Sequence, residues 1–326
     1  MRIFPDWLLL ATALLPLGSL AAVSVSSSKL ADSNISITPT SKNFEISAVS
    51  QGRFVTSADG TQIFADARGD PSKPAIVFIH GLGISAMSFD NVFNDPLWLR
   101  HVFLVRYDTR GHGRSDKPTT AAAWESQRIA EDFDAVVRSY GLHRPFVLGW
   151  SYGATHITDI MTFHPANYLS GIIYDAPQPR TTDFVFSPAV AAVAPGFTLT
   201  SNVTDFQATM IAFLNLCHPA LEWTFYLACL GDALVQPRAV TEFLFSRTQS
   251  SDELFKAGKE DGSLPLLAIF GGDDQNIVKD LVLEIVEGWK DLSIVTIPGA
   301  QHFTFVSQPE LFRKTVLNWV AGILSH

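Results

Sequence analysis

The chain has 326 residues, 47% hydrophobic and 17% charged, with a formal net charge of −9. That is enough apolar material for a large buried core. The acidic balance, with no lysine- or arginine-rich run, excludes a nucleic-acid partner, which needs a basic surface.

The N-terminus reads MRIFPDWLLLATALLPLGSLAAVSVSSS. Arg2 gives a positive start, Trp7 to Leu17 an apolar run, and Ser19, Ala21 and Ala22 a small-residue site. This is the layout of a signal peptide over residues 1–22. The run is shorter than the ~20 apolar residues that span a bilayer. The expected destination is therefore secretion, and membrane contact is expected only if the segment stays uncleaved. Residues 23–45, rich in Ser, Thr and Asn without periodicity, read as an N-terminal arm. Asn34-Ile-Ser36 and Asn202-Val-Thr204 fit the glycosylation acceptor pattern. In an oxidising compartment Cys217 and Cys229 either pair across a short loop or remain buried thiols.

Beyond the arm, strand-like and helix-like pieces alternate. Residues 52–70 read as a hairpin turning at Ala58-Asp59-Gly60. Short apolar runs at 75–80, 101–108, 144–150, 170–176, 264–272 and 292–299 read as strands buried on both faces. Apolar residues at three- and four-residue spacing predict helices over 121–142, 151–165, 278–289 and 309–324. Such alternation predicts an α/β fold, a mostly parallel central sheet with helices on both faces. Residues 177–262 break the pattern. They are aromatic-rich, apolar at helical spacing and without a strong strand, so they predict a helical cap over the carboxyl edge of the sheet. The core then comprises residues 46–176 and 263–326.

Ligands of an open parallel sheet gather at the carboxyl ends of its strands. There the sequence places His80-Gly81, Asp108, Ser151, Asp273-Asp274 and His302. Gly149-Trp-Ser151-Tyr-Gly153 sits between a strand and a helix. Its glycines leave room for a sharp turn that presents the hydroxyl at a helix N-terminus. A serine hydroxyl needs a base, and the base an orienting acid. His302 and Asp274 supply these, in the chain order Ser151, Asp274, His302. Asp273 and, after the preceding strand, Asp175 are alternative acids. His80 and His112 precede the serine and read as loop-structuring residues. There is no H-E-x-x-H cluster or G-x-G-x-x-G loop, and no metal or cofactor is expected.

HGLG (80–83), RYDTRGHGRSDKP (106–118), GWSYGA (149–154), GGDDQNIV (271–278) and GAQH (299–302) follow one another as they do in the α/β-hydrolase superfamily, which the chain resembles over residues 50–325. The resemblance implies an oxyanion hole made by the backbone N–H groups of Leu82 and Tyr152. It implies a structural role for Asp108 and Arg110. It also implies acyl transfer, since relatives acting on epoxides or haloalkanes carry an aspartate where Ser151 stands. The expectation is a secreted serine hydrolase acting on a small apolar ester. Peracid or carbon–carbon bond chemistry on the same triad, and a non-catalytic binding protein on the same scaffold, are the other readings. The sequence leaves the oligomeric state open.

Overall fold

A computed structural model describes residues 52–325. The signal peptide, the arm and the Asn34 acceptor site lie outside the described residues. The strands are β1 (Arg53–Thr56), β2 (Gln62–Arg68), β3 (Ala75–Ile79), β4 (Phe103–Tyr107), β5 (Phe146–Trp150), β6 (Gly171–Asp175), β7 (Leu266–Gly271) and β8 (Leu292–Ile297). They form one sheet in the order β1-β2-β4-β3-β5-β6-β7-β8. The first two strands pair antiparallel, as β2 does with β4, and all later pairs are parallel. Every residue of β4, β5 and β6 is buried, as continuous apolar runs demand of a sheet covered on both faces. β8 closes the sheet at an edge and leaves Ile294 46% exposed. The hairpin turns as expected, with Asp59 accepting from the Thr61 amide and Gly60 in the left-handed region at φ 90°.

In chain order the helices are α1 (Asp90–Phe93), α2 (Pro96–Leu99), α3 (Ser126–Tyr140), α4 (Gly153–Phe163), α5 (Pro188–Val193), α6 (Val203–Cys217), α7 (Trp223–Val235), α8 (Arg238–Ser246), α9 (Asp252–Phe255), α10 (Lys279–Val286), α11 (Thr304–Ser307) and α12 (Pro309–Leu324). α3, α4 and α9 pack together, and α1, α11 and α12 form a second group. The helix expected over 121–142 is broken. Ala121–Trp124 is a 3-10 turn, Glu125 is extended, and α3 ends at left-handed Gly141. The cause is Trp124. Its side chain is buried, donates to the Pro118 carbonyl and stacks on Phe243 of α8 at 5.7 Å between ring centroids. A continuous helix would carry that ring elsewhere.

Five helices, α5 to α9, are inserted between β6 and β7, and α9 packs on α4 of the core. Their ties to the rest of the fold are polar and specific. Arg247, just past α8, pairs with fully buried Asp159 of α4 at 2.7 Å. Tyr152 donates its phenol hydrogen to the Leu244 carbonyl at 2.6 Å. Asp232 of α7 accepts from both the amide (2.8 Å) and the hydroxyl (2.6 Å) of Ser85, in the loop after β3.

Candidate active site

β5 delivers Ser151 at its carboxyl end, and the chain turns at once into α4. Ser151 sits at φ 53°, a left-handed conformation that an L-residue adopts only under constraint. The constraint is visible on all sides. The Ser151 amide donates to the Asp175 carbonyl and its carbonyl accepts from the Gln178 amide, each at 2.9 Å, so the exit of β6 holds the turn. A methyl group on Gly153 would stand 2.4 Å from the Ile79 carbonyl oxygen, and one on Gly149 would stand 2.6 Å from the Ala154 Cα. Both glycines of the pentapeptide are therefore required by backbone approach, which no side-chain shift relieves.

His302 arrives from the loop after β8. Its Nδ1 hydrogen-bonds Asp274 Oδ2 at 3.0 Å and its Nε2 meets Ser151 Oγ at 2.9 Å. With Nδ1–H donated to the carboxylate, Nε2 keeps its lone pair for the serine proton. The imidazole is only 1% exposed. Its main chain is fixed twice. The Trp150 indole donates to the His302 carbonyl at 2.9 Å, and the His302 amide donates to the Cys217 carbonyl at 3.1 Å. The other oxygen of Asp274 accepts from the Asn276 amide at 2.7 Å, an Asx turn that locks the carboxylate plane.

The structure thus brings Ser151, His302 and Asp274 together. It does not bring the two alternative acids to the histidine. Asp273 is exposed. Asp175 is fully buried and accepts from Thr304 Oγ1 at 2.6 Å, while its second oxygen has no partner among the described residues. Desolvation pushes its carboxyl well above the usual range, because burial disfavours the charged form.

Leu82 and Tyr152 flank the serine. Neither backbone N–H has an acceptor among the described residues, and Leu82 shares the serine's cavity. The Leu82 loop is braced from beneath. His80 donates from Nδ1 to the Gly81 carbonyl at 2.8 Å and accepts the Thr109 amide at Nε2 at 3.0 Å. Burial lowers the pKa of both His80 and His112, as suits neutral, structural imidazoles. Asp108 accepts the amides of Ala86 and Arg114, while Arg110, fully buried, forks onto Asp132 with two bonds of 2.7 Å.

The cavity over Ser151, counted with the solvent space at its mouth, spans about 420 Å3. Its wall joins Ile84, Trp150 and Phe303 of the core to Met210, Phe213 and Leu230 of the inserted helices. Cys217 and Cys229 also line it, and both are free thiols. Asn276 Nδ2 donates to Cys217 Sγ at 2.9 Å. Among the described residues no group of three or more His, Cys, Asp or Glu is placed to hold a metal ion. Sequence reasoning missed Asn276, Trp150 and Asp232. The Asp274-Gln-Asn276 spacing of an Asx turn was a usable signal for the first, whereas Trp150 and Asp232 act through partners far away in the chain.

A probable oxidoreductase of Mycobacterium tuberculosis, EphD, is 34% identical over 110 residues. The match takes in 33% of this chain, and the chain spans only 18% of that relative's length. The pimeloyl-[acyl-carrier protein] methyl ester esterase of Yersinia enterocolitica is 29% identical over 249 residues, covering 75% of this chain and 92% of its own. Among solved structures, an aryl esterase from Burkholderia cenocepacia, itself described as putative, superposes with a TM-score of 0.76 at 24% identity. It covers 85% of this chain and all of its own, a likeness of fold. Residues 76–315 match the alpha/beta hydrolase family, and with the sheet order and the elbow at Ser151 described above, the chain belongs to that family.

Proposed function

We propose that the protein is a serine hydrolase that cleaves a carboxylic ester through an acyl-enzyme. The observation that carries this reading is the unbroken chain of hydrogen bonds Asp274–His302–Ser151, buried beside an apolar cavity.

In this reading Ser151 Oγ attacks the ester carbonyl as His302 Nε2 takes its proton. Asp274 holds the ring in the required tautomer and stabilises the imidazolium. The carbonyl oxygen, now charged, receives the N–H groups of Leu82 and Tyr152. A fixed donor of this kind contributes about 3 kcal/mol to the transition state. His302 then returns the proton to the departing alcohol, and water repeats the sequence to release the acid. Helices α5 to α8 act as the cap, and their apolar lining selects an apolar body for the substrate.

The test is direct. A fluorophosphonate should label Ser151. Ser151→Ala should remove labelling and lower turnover of p-nitrophenyl esters by roughly 10⁴-fold or more. Full activity in that variant would sink the proposal, as would an enzyme that turns over no ester in a panel of graded acyl length.

A further inference from the structure

A second cavity lies under the same helices. Counted with the solvent space at its mouth it spans about 320 Å3, and it shares Leu82, Gly83, Met210, Phe213 and Ala233 with the cavity over Ser151. Met210, long and unbranched, is a partition that rotates aside at small cost. Gly83 narrows the passage least, since a methyl group there would already approach Met210 Cε to 3.8 Å and Gln236 Oε1 to 3.6 Å.

The second chamber carries polar side chains that the cavity over Ser151 lacks. Gln236, Arg238 and Thr241 line it. Arg238 is the first lysine or arginine after Arg180 in the sequence. No acidic side chain among the described residues pairs with it, and its Nε is buried with no hydrogen-bond partner. The guanidinium carbon rests 4.1 Å over the Phe206 ring. That stacking fixes the plane of the fork and leaves its N–H edge free. Beside it, Thr241 Oγ1 accepts from Gln236 Nε2 at 3.1 Å, which leaves the hydroxyl hydrogen to give. A buried donor on a cation, left without an acceptor, is costly to maintain. Arg238 is half-buried, and here its buried Nε–H and the Thr241 hydroxyl line a chamber that offers them none.

We propose that this chamber is a carboxylate subsite, and that the substrate is a hemi-ester: an ester joined through an apolar chain to a free carboxylate. The carboxylate takes the guanidinium edge, a geometry that fits two parallel N–H···O bonds. One arginine in a chain of net charge −9 matches a single negative charge and not a phosphate dianion. The assignment rests on the ester-hydrolase reading of Ser151, since the ester end must reach that residue.

The experiment compares kcat/KM for the monomethyl and dimethyl esters of straight-chain dicarboxylic acids of graded length. The wild-type enzyme should favour the monomethyl ester at its preferred length by about tenfold or more, mainly through KM. Arg238→Gln should collapse the ratio of the two substrates toward one, with Arg238→Lys in between. Equal wild-type rates on both series, with Ser151 still labelled by a fluorophosphonate, overturn the subsite alone, and that comparison needs no variant. An enzyme that cleaves neither series and leaves Ser151 unlabelled overturns the ester-hydrolase reading as well.

Discussion

The sheet and the inserted helices solve opposite problems. In the sheet, β4 to β6 bury every side chain, and the site residues leave its strand ends with their backbones pinned. In the insertion, apolar residues face both ways. α6 and α7 line the cavity with Met210, Phe213 and Leu230, yet expose Val203, Ile211, Trp223, Leu227 and Leu234 to solvent. These helices are tied by side chains at Asp232, Arg247 and Tyr152, by the Cys217 carbonyl, and by apolar packing of Leu214, Cys217 and Cys229 on the core. The lesson is a division of labour. Chemistry is placed on the part that cannot move without breaking backbone contacts. On the proposed function, selectivity falls to the inserted part, whose outer faces are open to solvent.

The sharpest way to break this comparison is within the core. Asp274→Asn should lower kcat on an ester by roughly 10⁴-fold, because the amide no longer enforces the histidine tautomer. Asp175→Asn should stay within a few-fold of wild type. Comparable losses in the two variants would show that the acid is not fixed by the sheet edge. Next comes Gly153→Ala. Its methyl group meets two backbone carbonyl oxygens, at 2.4 and 2.6 Å, so the elbow must distort. A loss of roughly 2 kcal/mol or more in urea unfolding is expected, together with most of the activity.

The insertion should respond more mildly. Asp232→Asn weakens its tie to the Ser85 loop, and a fall in kcat/KM of about tenfold is expected with the unfolding midpoint of the sheet nearly unchanged. A cooperative loss of global stability would instead make the insertion part of the core. The smallest effect concerns acid. His80, His112 and His156 are depressed, first by desolvation, below the ordinary 6.5. The unfolded chain therefore binds protons that the folded chain refuses. Stability is full above pH 6.5 and falls as pH drops, by at most about 1.4 kcal/mol per pH unit per histidine. Asp175, whose carboxyl burial pushes up, works in the opposite sense, costing stability as pH rises above 3.8. The slope between pH 6.5 and 5 should accordingly be shallower in His112→Asn than in wild type. Identical slopes would mean that this imidazole does not titrate on unfolding.

Much of the core was legible in the sequence because its signals are local. Short apolar runs named the strands, and Gly149, Ser151 and Gly153 named the elbow from three adjacent constraints. The bases of the partnership were legible too, since Asp274 and His302 each follow a strand. What lay hidden was long-range. Trp124 breaks its helix in order to reach Phe243. Asp232 matters only because Ser85 faces it. Arg238 carries no motif, and its isolation shows only once the surrounding side chains are in place. The two cysteines left pairing open, and the fold resolves them as separate thiols, Cys217 accepting from Asn276.

The base is moored at both ends of its peptide: Trp150 grips the His302 carbonyl, and the Cys217 carbonyl receives its amide. Cys217 is the last residue of α6. Lifting that end of the helix would unfasten the histidine from above, whereas swinging the opposite end, at Phe206 and Met210, leaves the mooring intact. If the proposed substrate enters by displacing α6, the motion would pivot at Cys217, beside His302, with its opening edge over the second chamber. A substrate entering by that edge would pass Arg238 before it ever met Ser151.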